Sequence, residues 1–240
     1  MFSRVFKTGA RSRDEAEKPF WISYADLMTA LMVLFLVVMS VALLAVTKKI
    51  SDDERRKSEY DADVDAFLME LDQTTRKYPD VTLDRNRGVI DFGSRATFPD
   101  RGYRLTAEQA RGIRAFVPEI LALAASPRGE RLLKRVVVEG FTSPTGTYLF
   151  NLNLSLQRSQ SVLCALFAAE ADDERKLSGG ELRQIRDLFL VGGYSFNSVR
   201  DTDEKSRRVE LRLELYGFKE PKRARSALED PATGTCQLPP

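Results

Sequence analysis

Twenty consecutive residues, Leu27 to Val46, carry no charge. At about 1.5 Å rise per residue such a run makes a helix of about 30 Å, the thickness of bilayer hydrocarbon. It is too long for the apolar part of a typical cleaved signal, and no small-x-small site closes it, so it reads as a retained transmembrane span. Phe20, Trp21 and Tyr24 form an aromatic belt at one end, and Lys48 and Lys49 flank the other. Basic residues stand on both sides, so the positive-inside rule does not orient the span. Asp26 sits at its mouth. Hydrocarbon penalises a charged carboxyl, and an acid in such a place needs a reason. Ala30, Val33, Val37 and Ser40 share its helical face, and the run holds no basic residue to neutralise it. Its partners are therefore ions, water or a second polypeptide. The competing reading is an interfacial acid near a helix N-terminus, favoured by the helix dipole. Position alone leaves both readings open.

The residue inventory removes many chemistries. With no histidine, there is no Ser-His-Asp or Cys-His scheme and no His-ligated metal. Cys164 and Cys236 cannot make a zinc site alone and match no redox spacing; Cys164 reads as a buried small hydrophobe and Cys236 as part of a tail, with a bond between them open to an oxidising compartment. Lys and Arg total 37 against 35 Asp and Glu, so whole-chain charge points to no nucleic-acid partner. No nucleophile, base and metal set is visible, and an enzyme is disfavoured.

Along the chain, 1–19 is a polar head of mixed charge and 20–46 the span. A charged linker helix follows over 47–79, opened by Ser51 and Glu54 as a capping box. Tyr60, Val64, Phe67, Leu68 and Leu71 make a narrow apolar stripe on it. The stripe suits a helix packed on its own domain or one paired with a second copy. Tyr78-Pro79 ends the helix. The domain is expected over 80–218: strand material from Val81 to Phe92, a loop over 93–103, and a helix from about Ala107 capped by Thr106. A buried strand follows around Val136–Val138, then a turn from Thr142 to Thr147 and a helix opened by Asn151. Residues 170–182 read as a polar insert, Leu188–Val191 as a strand, and Arg207–Tyr216 as a half-buried alternating strand. A disordered tail is expected over 219–240. Alternating strands and helices imply an α/β domain with helices on one face of a mixed sheet.

Two stretches carry a family pattern. Gly140-Phe141-Thr142, followed by Asn151-Leu152-Asn153-Leu154-Ser155-Leu156-Gln157-Arg158-Ser159, resembles the OmpA-like peptidoglycan-binding domain, as does Arg207-Arg208-Val209-Glu210-Leu211 its last strand. That resemblance implies peptidoglycan contacts from Thr142, Ser143, Phe150, Asn151, Leu154 and Arg158, with Arg158 gripping a carboxylate bidentately and Asn151 both capping its helix and offering an amide. Ser143 replaces the family's Asp, which implies weaker or altered ligand binding. Purely structural roles stay open: Asn151 as a cap, Phe150 and Leu154 as core, Arg158 paired within the fold.

Trp21-Ile22-Ser23-Tyr24-Ala25-Asp26-Leu27-Met28-Thr29-Ala30 resembles the flagellar stator B subunit, whose Asp at this position carries the ion. Asp14 to Ala30, Val137 to Phe141, Tyr148 to Ser159 and Leu190 to Ser198 are closer still to the B-subunit family of Zorya anti-phage defence. What this implies is a wall-anchored B subunit of an inner-membrane rotary motor. The N-terminus would be cytoplasmic and the domain periplasmic. The chain would form a homodimer inside a ring of five A subunits, with peptidoglycan and, indirectly, cytoplasmic effectors as partners. Asp26 would translocate the ion, with Tyr24 and Thr29 beside its path. No cofactor is expected. A proton is favoured over sodium because the span offers no set of oxygen ligands. The alternatives are a flagellar stator B subunit and a passive OmpA-like envelope anchor.

Overall fold

The computed structural model describes residues 14–168, 176–222 and Cys236, with side chains from Trp21 onward. The expected head over 1–13, most of the expected tail and the first half of the expected insert lie outside the described residues. Helix α1 runs Asp14–Thr75 and is long and apolar enough to cross a membrane. The chain divides within it into two compact units, 1–58 and 59–240.

In the first unit every residue from 21 to 50 is exposed on the isolated chain. The polar groups of the apolar run are served by its own backbone: the Thr29 hydroxyl donates to the Ala25 carbonyl at 2.7 Å and Ser40 to Leu36 at 2.7 Å. This is how hydroxyls are tolerated in hydrocarbon.

The second unit begins at Glu59, so helical residues 59–75, expected as linker, belong to the folded domain. Phe67 and Leu71 are each 1% exposed, with Tyr60 and Val64 packed against the same core. The stripe therefore covers its own domain, and Phe67 and Leu71 are not available to a second copy. Ion pairs fasten its acidic flank: Arg131 to Asp63 at 2.9 Å, Arg128 to Glu70 at 3.7 Å. The Arg131 hydrogen bond holds the Asp63 carboxyl below the usual range.

The expected first strand is a hairpin of two short strands, β1 (Thr82–Asp84) and β2 (Val89–Asp91). Asp84 folds the turn by accepting from the amides of Asn86 and Arg87, both at 3.1 Å. Helix α2 (Ala107–Ala125) starts on a complete Thr106–Gln109 capping box. It is followed by α3 (Pro127–Leu132), β3 (Leu133–Gly140) and α4 (Tyr148–Phe167). The second half of the expected insert is instead helix α5 (Gly179–Leu188), nucleated by a Ser178–Glu181 capping box. Strand β4 (Phe189–Gly193), a short α6 (Asp203–Ser206) and β5 (Val209–Leu215) complete the unit.

The sheet order is β1-β2-β5-β3-β4, with β3 and β4 parallel and the other pairs antiparallel. Val136, Val138, Leu211 and Ile90 form the core of the sheet with Phe116, Val117, Val162 and Leu166 from the helices. The expected α/β architecture is thus present. One strand departs from its expected pattern: β5 is not half-buried along its polar side, because Glu210 is 0% exposed. Its carboxylate is held by Arg208 at 2.6 Å and by Arg200, which also bonds Asp91 at 2.7 Å. Glu139 is buried on the same terms, under Arg212. Removing one partner of such a pair would strand a buried charge.

The chain beyond β5 is fastened too. Tyr216 donates its amide to Leu132 at 2.8 Å, Tyr60 bonds the Tyr216 carbonyl, and Lys134 pairs with Glu220. Cys236 forms a disulfide with Cys164 of α4, 72 residues apart, their Cα atoms 5.6 Å apart. For a loop of this length the chain-entropy relation gives about 4 kcal/mol. Cys236→Ser is expected to lower the unfolding free energy by about 2–4 kcal/mol. It should also abolish the effect of reductant on Tm, and thermal unfolding of the full chain in detergent with and without reductant reads both.

Candidate functional site

The end of β3 and the start of α4 are brought together by two glycines. A Cβ on Gly140 would meet the Ser155 carbonyl oxygen at 1.9 Å, and one on Gly193 would meet the Leu156 amide nitrogen at 2.8 Å. Only residues without a side chain let α4 lie this close to the sheet. The contact is stitched by hydroxyls: Ser159 donates to the Gly192 carbonyl at 3.0 Å, the Ser155 hydroxyl accepts from the Ser195 amide at 3.0 Å, and Ser195 donates to the Tyr148 carbonyl at 3.2 Å. The Thr142 amide donates to Ser195 at 2.9 Å. Phe141 lies between the Arg208 guanidinium, 4.4 Å from its ring centre, and Tyr194.

The structure gathers the expected residues, in roles that differ from some of those expected. Helix α4 starts at Tyr148 behind the N-cap Thr147, so Asn151 is not its cap. Asn151 is 2% exposed, and its amide donates to the carbonyls of Thr145 at 3.0 Å and Thr147 at 3.2 Å. Both N–H groups fold the 142–147 turn onto the helix, and what remains for a ligand is the side-chain oxygen. Leu154 is buried. Phe150 is 47% exposed and flanked by exposed Tyr148 and Leu149. Ser143 is buried, and the buried Thr142 hydroxyl has no hydrogen-bond partner.

Arg158 is paired within the fold. It is 0% exposed. Its Nε donates to the Gly102 carbonyl at 2.7 Å, Nη1 to Phe141 at 2.8 Å and Nη2 to Pro99 at 3.2 Å, and the guanidinium lies 5.2 Å from the Phe98 ring centre. Three of its five N–H groups are spent on backbone carbonyls, and the guanidinium has no exposed surface. Burial pushes its pKa down to about 10, with Arg207 adding to the fall and Asp100 opposing it, so it stays a cation at neutral pH. The residues it holds, Pro99 to Gly102, belong to the loop read over 93–103. Their approach is non-local; the Pro-x-x-Gly spacing signals the turn and not the residue that holds it.

In the first unit Asp26, Tyr24 and Thr29 lie on one exposed stretch of α1, and among the described residues nothing pairs with Asp26. The Thr29 hydroxyl hydrogen is spent on its own helix. Among the described residues no group of His, Cys, Asp and Glu could hold a metal ion.

The profile of a family described as "Membrane MotB of proton-channel complex MotA/MotB" matches residues 7–50. Solved structures similar to part of the chain include the periplasmic domain of Helicobacter pylori MotB. It is 16% identical, covering 53% of this chain and 81% of that one, at a TM-score of 0.35. Another is the cell wall anchor of the T6SS from Pseudomonas aeruginosa, 20% identical, covering 62% and 95%, at a TM-score of 0.37. Zorya protein ZorB of Escherichia coli O139:H28 is 40% identical over 242 residues, 99% of this chain and 98% of that protein. Identity of that order along essentially the whole of both chains makes this protein a member of the ZorB family, a stator-like B subunit and not an enzyme.

Proposed function

We propose that the chain is the wall-anchored B subunit of a proton-driven inner-membrane motor acting in anti-phage defence. The observation that carries the reading is the end-to-end relation to ZorB. Asp26 supports it, as an acid at the mouth of an apolar span with no cation in its own run. In this reading Asp26 takes up a proton from one side and releases it to the other, and its change of charge alters its contacts with the surrounding subunits. Two copies stand inside a ring of five A subunits, with cytoplasmic effectors engaged indirectly. The cysteines support the orientation that Lys and Arg leave open. A structural disulfide persists in an oxidising compartment, which favours a periplasmic domain and a cytoplasmic N-terminus.

The domain holds the motor to peptidoglycan through the 142–147 turn and the start of α4. Phe150 supplies exposed apolar surface there, and Ser143 and Asn151 supply polar atoms. Arg158 shapes this site from beneath. The full chain in detergent is expected to sediment with purified sacculi. Phe150→Ala should reduce that binding about tenfold, in line with the loss of one exposed aromatic contact, with Tm unchanged. A wild-type chain that stays in the supernatant would overturn the anchoring role.

A further inference from the structure

Asp26 stands at one mouth of the span, so an ion exchanged with the opposite side has the length of the apolar run to cross. The hydroxyls of α1 mark a route. A helix turns about 100° and rises about 1.5 Å per residue. On that geometry Ser23, Thr29, Ser40 and Thr47 all fall within about 60° of the Asp26 direction. Ser40 stands about 21 Å from Asp26 along the axis and Thr47 about 32 Å. The Tyr24 hydroxyl is the exception, about 160° away, with the aromatic belt. The side opposite Asp26 carries bulk: Met28, Leu31, Phe35 and Met39, all exposed on this chain. Between Thr29 and Ser40 the Asp26 side holds Ala30, Val33 and Val37, which are small or β-branched.

Thr29 and Ser40 donate their hydroxyl hydrogens to the carbonyls of Ala25 and Leu36, both at 2.7 Å. Each oxygen is left with lone pairs on its free side, so it can accept a hydrogen bond and has no hydrogen to give. Water or a protonated carrier matches such an acceptor, and a lipid tail offers it nothing. We propose that Ser40 lines the ion path of this subunit, holding the water that carries the proton between Asp26 and the far side, with Thr47 at the entrance. The proposal rests on the motor reading above and adds the route to the carrier. It also sets a demand on the partner. At Val33 and Val37 this chain supplies no polar side chain, so the surrounding subunit must supply the polar wall there.

The test uses the full chain assembled with its A subunit. Ser40→Ala should lower proton uptake by vesicles roughly tenfold, the rate equivalent of one lost hydrogen bond. Ser40→Thr keeps the hydroxyl and should restore most of that loss. Both variants should copurify with the A subunit in wild-type amount. A second measurement asks where water reaches. Ser40→Cys should react with a membrane-impermeant thiosulfonate cation added from the side of Lys48, periplasmic in the reading above, and proton uptake should fall on reaction. Phe35→Cys, on the opposite side of the helix, should stay unreacted. Cys164 and Cys236 are tied in their disulfide and give no background. Full uptake in Ser40→Ala would overturn the proposal. So would a Ser40→Cys thiol that stays unreacted, or a Phe35→Cys thiol that reacts as fast. The motor reading would survive each of these results, and it falls instead if Asp26→Asn leaves uptake undiminished.

Discussion

Asp26→Asn is expected to reduce ion translocation to background while leaving membrane insertion and assembly with the A subunit intact. The substitution keeps size and hydrogen-bonding shape but removes the only carboxyl in this stretch. Asn stands in for a permanently protonated carboxyl. A motor that works by alternation would then stay in one of its two states. Asp26→Glu, which keeps the carboxyl on a longer stem, should retain partial flux. Proton uptake by vesicles containing the B and A chains, followed with a pH-sensitive dye, gives the first readout. Plating efficiency of phage on cells carrying the system gives the second. Undiminished flux in Asp26→Asn would remove Asp26 as the carrier. Lost flux with full protection would separate the channel from the defence. A passive envelope anchor predicts no change in either assay, so one variant divides the motor from the tether.

The parts of the molecule legible in the sequence were those governed by local rules. The apolar run, the Thr106 cap and the strand at β5 follow from residue spacing, and each is present. Helix α5 followed a local rule too, but its first residues, Gly179-Gly180 among them, lie in the stretch 170–182 that reads as a polar insert. The Ser178–Glu181 capping box outweighs those two glycines, and Ile185 and Leu188 bury its inner face. The start of α4 was misplaced because an Asn so near the helix reads as a cap. Thr147 takes that position, and Asn151 is turned inward onto the preceding carbonyls. What no local rule could supply was the destination of Arg158. Its partners lie 56 and 59 residues away at Gly102 and Pro99. A motif places an arginine at the right spacing without saying whether its guanidinium faces ligand or backbone. The same limit applies to Glu139 and Glu210. The alternation of β5 predicts exposure for Glu210, and only the arrival of Arg200 and Arg208 there, and of Arg212 at Glu139, makes burial of the two carboxylates tolerable.

Gly140→Ala is expected to destabilise the domain by more than about 3 kcal/mol, at the upper end of what overpacking costs. The added Cβ would sit 1.9 Å from the Ser155 carbonyl oxygen, 2.8 Å from its carbon and 3.3 Å from the Ser159 amide nitrogen. All three are helix backbone, so no side-chain rotation relieves the clash. Strand β3 is central, held by β5 on one side and β4 on the other, so the helix must give way. A retreat of α4 by more than about 1 Å would stretch the Ser159–Gly192 bond and the Ser155–Ser195 bond, both now 3.0 Å, beyond hydrogen-bond length. It would also draw Arg158 away from Phe141, releasing the turn from Pro99 to Gly102. Binding to sacculi should therefore fall along with stability. Gly180→Ala is the control of opposite sign. The nearest atom to its added Cβ is the Ser178 hydroxyl oxygen at 3.8 Å. In the first turn of α5, replacing Gly with Ala should stabilise by about 0.5–1 kcal/mol. Denaturant unfolding of the two variants reads both signs. A Gly140→Ala chain as stable as wild type would mean that α4 does not rest on β3 at this distance, and the geometry assigned to Arg158 would fall with it.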